Sequence, residues 1–129
     1  MENRLKNRIW SKLCKCFVGS GNNKYYINQK GNIIIVDKNG FLHETLENNY
    51  IINQFTGLKD KNGVEIYEGD LVKILDNVNE TICEVRFEYG GHILKNRDLR
   101  EELLYLEERF MEVVGNIYEN PELLEEKNG

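Results

Sequence analysis

Three short apolar runs, KYYINQ, NIIIVD and FLHETL, are separated by QKGN and DKNG and preceded by GSGNN. No run is long enough for a core helix. Each separator puts Gly beside Asn or close to Asp, the residues that turn a chain through positive φ at least cost. Residues 24–46 therefore read as a meander of β-hairpins. A further strand is expected over Tyr50–Phe55. Asp70–Leu75 and Thr81–Tyr89 follow as consecutive strands joined by DNVNE. In the second of these, Cys83, Val85, Phe87 and Tyr89 alternate with Glu84, Arg86 and Glu88, the pattern of a half-buried strand. Ile33–Val36 is continuously apolar and is expected to be covered on both faces.

Two segments read differently. RDLREELLYLEERF places Leu99, Leu103, Leu106 and Phe110 at helical spacing behind Asn96 or Asp98, which predicts a helix at about 97–108 covering one end of the sheet. NRLKNRIWSKLCKCFV supports two periods. On a helical wheel Leu5, Ile9, Trp10, Leu13, Cys14, Cys16 and Phe17 oppose Arg4, Arg8, Lys12 and Lys15. With period two, Leu5, Ile9, Leu13 and Phe17 share one strand face. MEVVGNIY reads as a closing strand. Pro121, the chain's single proline, fits the first turn of a short terminal helix with Asn120 as its cap. The expected fold is mainly β, a β-rich α+β arrangement, with an N-terminal lobe over 1–55 and a C-terminal lobe over 56–129.

The 129 residues are about one domain's worth, and 40% hydrophobic with 30% charged residues is a globular composition. No apolar run approaches the roughly 20 residues that span a bilayer, and MENRLKNRIW lacks a signal-peptide h-region. A cytoplasmic location without membrane attachment is the expectation. Cys14, Cys16 and Cys83 form no Cys-x-x-Cys pair, and His43 and His92 have no ligand at metal spacing, so no metal or cofactor is expected. Charge is unevenly spread. Residues 1–57 hold eight Lys/Arg against four Asp/Glu, a net +4, and residues 58–129 hold nine against eighteen, a net −9.

TGLKDKNGVEIYEGDLVKI, residues 56–74, brings Asp60, Asn62, Glu65, Glu68 and Asp70 into one stretch. As a calcium loop starting at Asp60 it fails, because position six is Glu65 rather than Gly and position twelve is Leu71 rather than Glu. Asn62-Gly63 is instead a preferred type I′ hairpin pair. Glu65, Glu68 and Asp70 form a carboxylate group without a predicted pocket. Glu68-Gly69-Asp70 reads as a corner in which Asp70 accepts backbone amides. No phosphate loop, Ser/His/Asp set or Cys/His pair is present, so the chain is not read as an enzyme.

QFTGLKDKNGVEIYEGDLVKI, residues 54–74, together with MEVVGNIYENPELL, residues 111–124, resembles the YopX-like family of phage and prophage proteins. Arg8-Ile9-Trp10 is similar to that family's Arg-Ala-Trp, with Ser11 where the pattern has Asp. The resemblance implies a phage or prophage origin and a β-rich fold with an SH3-like barrel in the C-terminal part, and it supplies no catalytic residues. The expected activity is binding, with a host protein or a defence complex such as CRISPR–Cas as partner. Nucleic acid, on a small barrel, and a homo-oligomer are the alternatives. Candidate contact residues are Arg4, Arg8, Trp10, Lys12, Lys15, Tyr25 and Tyr26: a basic cluster for charge complementarity and aromatics for anchoring.

Overall fold

The computed structural model describes residues 7–18, 24–27, 29–30, 32–36, 39–44, 49–75, 80–97, 100–102 and 106–125. Twelve strands are assigned among them: β1 (Asn7–Ser11), β2 (Cys16–Phe17), β3 (Lys24–Ile27), β4 (Ile33–Val36), β5 (Leu42–Glu44), β6 (Tyr50–Lys59), β7 (Glu65–Tyr67), β8 (Asp70–Leu75), β9 (Glu80–Glu88), β10 (Gly91–Lys95), β11 (Arg100–Glu102) and β12 (Met111–Asn116), with α1 (Glu122–Glu125) at the end. The fold is mainly β. Two compact units divide within β6, one formed by Asn7–Asn53 and the other taking in Gln54–Gly129.

In residues 7–53 the strand period prevails over the helical one. β1 and β2 pair as a hairpin, Trp10 opposite Phe17 and Ser11 opposite Cys16. Ser11 closes its turn: its hydroxyl accepts the Cys14 N–H at 3.1 Å and its carbonyl the Lys15 N–H at 2.8 Å. An Asp side chain there has the same acceptor chemistry, so Ser11 can fill the family's Asp position without changing the turn. Of the two conformations that the pattern left open, the strand is the one found in β1 and β2. Buried apolar contacts and ladder bonds on β1 outweigh a helix whose charged face would gain little. The meander is present as the antiparallel sheet β3-β4-β5. Its centre departs from expectation, because Ile33 is buried whereas Ile34, Ile35 and Val36 are only half-buried.

In residues 54–129 the antiparallel order is β11-β10-β9-β8-β12. Ile66, Val72, Cys83, Val85, Leu94 and Met111 form the buried core, flanked by Leu58, Ile74, Leu106 and Val113. The helix expected at about 97–108 is corrected: Arg100–Glu102 is a strand on β10, pairing Lys95 with Arg100, Leu94 with Glu101 and Ile93 with Glu102. Glu108–Phe110 is a single 3-10 turn. The backbone edge of β10 supplies hydrogen bonds that a helix would leave unmade, and tertiary pairing overrides a weak local preference.

The β6–β7 loop is a turn, as expected, but not type I′. Gly63 has φ +84° and Asn62 is not among the positive-φ residues, whereas type I′ requires both. Register places Lys59 opposite Glu65, leaving five residues between them. Asp60 organises these five. Its N–H donates to the Val64 carbonyl at 2.8 Å, its carbonyl accepts the Gly63 N–H at 3.0 Å, and Oδ1 accepts the N–H groups of Asn62 and Val64 at 2.8 and 2.9 Å. Oδ2 reaches β12, accepting the Val113 N–H at 2.8 Å, and Lys61 N–H donates to Met111 carbonyl at 2.9 Å. The turn thus covers the outer edge of β12. At the next corner Asp70 Oδ2 accepts the Tyr67 N–H at 2.8 Å, as its Gly-Asp sequence implied. Asn120 does not cap α1 with its side chain: Oδ1 accepts the Asn116 N–H at 3.2 Å instead.

Candidate functional site

Strand alternation decides which of the sequence-selected residues reach solvent. Tyr25 and Tyr26 are adjacent on β3 and so point to opposite faces. Tyr25 pairs with Ile35, and its hydroxyl donates to the Asn7 carbonyl at 2.6 Å. Burial pushes its phenol up from its ordinary value. Tyr26 pairs with Ile34 and is 59% exposed. Val36 pairs with Leu42, which is 69% exposed. Tyr26, Ile34, Val36 and Leu42 therefore share the outer face of the sheet, and exposed Phe41 stands at the entry to β5. Leu42 and Phe41 escape sequence reasoning because FLHETL reads only as a short apolar strand; the signal is that β5 is an edge strand of its sheet.

The basic cluster is split by the fold. Arg8 is stacked with its guanidinium carbon 4.3 Å from the Phe17 ring centroid, and its Nη2 and Nε donate to Asn53 Oδ1 at 3.2 and 3.4 Å. Trp10 is buried edge-on to Phe17, with centroids 4.9 Å apart. Both are committed to packing within residues 7–53. Lys12 and Lys15 are exposed around the hairpin turn with Leu13 between them, and Lys15 has φ +56°. Arg4 lies outside the described residues. Of the seven, Tyr26, Lys12 and Lys15 are exposed; Tyr26 lies on the apolar face, and the two lysines mark a separate turn.

Of the carboxylates of 56–74, Asp60, Glu68 and Asp70 accept backbone N–H groups, and Glu65 accepts the Tyr67 hydroxyl at 3.2 Å. Asp60 is 2% exposed. Burial is the largest influence on it and opposes ionisation, but the Val113, Val64 and Asn62 N–H groups, with Lys61 nearby, together hold its carboxyl below the ordinary value. Glu68 Oε1 accepts the Gln54 N–H at 3.1 Å and Oε2 lies 3.1 Å from His92 Nε2. Among the described residues no group of three or more His, Cys, Asp or Glu is arranged to hold a metal ion. No described helix is long and apolar enough to cross a membrane.

These features define a small two-unit β protein in which Asp60 and Glu68 join turns to strands and in which Tyr26, Phe41 and Leu42 are among the exposed large apolar side chains. A family model described as YopX protein matches residues 6–125, and the chain belongs to that family. It is similar to the crystal structure of protein YopX from Bacillus subtilis, with 22% identity, a TM-score of 0.68, and coverage of 95% of this chain and 99% of that one. It is also similar to the crystal structure of an Enterococcus faecalis protein, with 27% identity, a TM-score of 0.63 and the same coverage. None of the curated proteins compared matches the sequence.

Proposed function

We propose that this chain is a phage-type accessory protein that acts by binding a host protein, a defence complex included, through the outer face of β3-β4-β5. Membership of the YopX family supports the phage-type character. The observation that carries the contact surface is that exposed Tyr26 pairs with Ile34 and exposed Leu42 pairs with Val36, all four on one face of the sheet. Contiguous exposed apolar side chains mark interaction sites, and a rigid tyrosine on a strand is a low-entropy anchor. Exposed lysines in the same unit, Lys12, Lys15 and Lys30, favour a partner with acidic surroundings.

The test is affinity capture from host lysate at several salt concentrations, comparing the wild-type chain with the double variant Tyr26→Ser/Leu42→Ser. Both substitutions remove exposed groups and leave Ile33 and Tyr25 in place, so folding is retained. A stoichiometric protein captured by the wild type and lost from the variant is the expected result. Equal capture by both, or no stoichiometric partner under any condition, would refute the proposal.

A further inference from the structure

The hairpin joining β9 to β10 has a two-residue turn, Tyr89-Gly90, closed by the pair Glu88 and Gly91. Its φ angles are +53° and +82°, positive at both central positions as in a type I′ turn. Asn, Asp or Gly ordinarily occupies the first of these, because their backbones reach positive φ at little cost. A bulky residue there is strained. Burial does not compensate, since Tyr89 is 95% exposed. A residue that opposes its local turn chemistry and fills no core is the kind of inconsistency found at functional positions.

Its surroundings point to the ligand. Phe87 continues the β9 face that buries Cys83 and Val85, yet it is 52% exposed. Its ring meets His92 edge-on, centroids 5.1 Å apart, and His92 Nε2 lies 3.1 Å from Glu68 Oε2. A carboxylate therefore stands one side chain behind an exposed ring. Arg86, the cation of β9, alternates to the opposite face, where Glu84 and Glu88 hold it at 3.1 and 3.5 Å. Residues 54–129 hold nine Lys/Arg against eighteen Asp/Glu, a field that draws cations and repels phosphate.

We propose that Phe87 and Tyr89, at the tip of the β9–β10 hairpin, bind an arginine or lysine side chain of a protein partner. The negative ring faces attract the cation, and Glu68, reached through His92, adds charge behind Phe87. This site is separate from the sheet face of residues 7–53 and does not depend on it.

The test is fluorescence anisotropy with a labelled octa-arginine peptide and the full chain, with octaglutamate and a dT20 oligonucleotide as anionic probes. Tyr89→Asn relieves the turn, so its melting temperature should rise by about 2–4 °C while its affinity for octa-arginine falls about threefold to fivefold, the loss of one exposed cation–ring contact. Tyr89→Phe keeps the ring and should bind as the wild type does. Unchanged octa-arginine affinity in Tyr89→Asn would assign the binding to diffuse negative charge and overturn the site. Equal or tighter binding of either anionic probe would overturn the ligand class.

Discussion

Asp60 offers the sharpest test of how this fold is held, because one buried carboxylate serves both a turn and a strand edge. Asp60→Ala removes the acceptors of three backbone N–H groups at 2.8, 2.9 and 2.8 Å. Asn62 and Val64 are exposed and water can take over part of their bonding, so those two bonds are worth about 0.5–1 kcal/mol each. Val113 is half-buried beneath the turn, and its charge-assisted bond adds about 1.5–3 kcal/mol. The expected loss is about 2.5–5 kcal/mol by these increments, a large part of a small domain's stability. Asp60→Asn should cost less, about 1.5–3 kcal/mol, because its amide keeps one acceptor oxygen but turns an N–H donor toward another donor. The pH dependence follows from the depressed carboxyl. The folded state holds Asp60 ionised below its unfolded pKa, so its contribution is complete above that value and is lost as pH falls through the folded one. Urea unfolding by far-UV circular dichroism at pH 7 and pH 3 measures this, with Trp10 fluorescence reporting residues 7–53. The gap between wild type and Asp60→Asn should narrow at pH 3. A loss under 0.5 kcal/mol for Asp60→Ala, or a gap independent of pH, would refute the bracing role.

Three other perturbations probe separate parts of the structure. Gly69→Ala should cost about 1–3 kcal/mol, because φ is +88° and the new Cβ would stand 3.2 Å from the Tyr118 hydroxyl oxygen; thermal unfolding checks it, and a wild-type melting temperature would contradict the strain. Leu94→Ala empties a fully buried core position and should cost about 2–5 kcal/mol in a denaturant titration. Arg8→Ala should lose about 1 kcal/mol and shift Trp10 emission by uncovering Phe17. Arg8→Lys should recover little of that, since an ammonium cannot reproduce the planar stack and both bonds to Asn53.

What could be read in advance divides along the range of the interactions. The hairpins of residues 24–46 were legible because Gly and Asn act over two or three positions, and the Asp70 corner because its acceptor role is equally local. The strand at Arg100–Glu102 was not, because its cause is the open edge of β10 rather than its own three residues, and the leucines flanking it fit a helical period. Asp60 looked like part of a turn and was one, but its second oxygen works on Val113, 53 residues away, and no local pattern carries that. At the candidate site, Tyr25 and Tyr26 were both selected although alternation permits only one to face out. The fold chose Tyr26 by packing Tyr25 against the start of β1. Phe87 and Tyr89 had the alternation of a core face, but both are exposed, at 52% and 95%. Tyr89, expected as the last residue of the strand, is instead the first turn residue: β9 ends at Glu88, which pairs with Gly91.

The two blocks that carry the family resemblance, 54–74 and 111–124, meet each other in the structure. Asp60 and Lys61 bond to Val113 and Met111; the Ile117 N–H donates to the Gly69 carbonyl at 2.9 Å; and Tyr118 stands over Gly69, where a Cβ would crowd it. Asp60, Gly63, Gly69 and Asp70 each have a backbone duty that accounts for their identity. A sequence signature made of such residues specifies how the β6–β7 turn and the Gly69-Asp70 corner are held to residues 111–118. Family membership therefore constrains the architecture of residues 54–129 more tightly than it constrains any partner. The outer face of β3-β4-β5 and the β9–β10 tip lie outside both blocks. Neither takes part in the contacts between those two blocks, and at the tip Tyr89 works against its own turn. Partner specificity is consequently expected at those two surfaces, and exchanging Tyr26, Leu42 or Tyr89 should alter what the protein binds without dismantling the signature that identifies it.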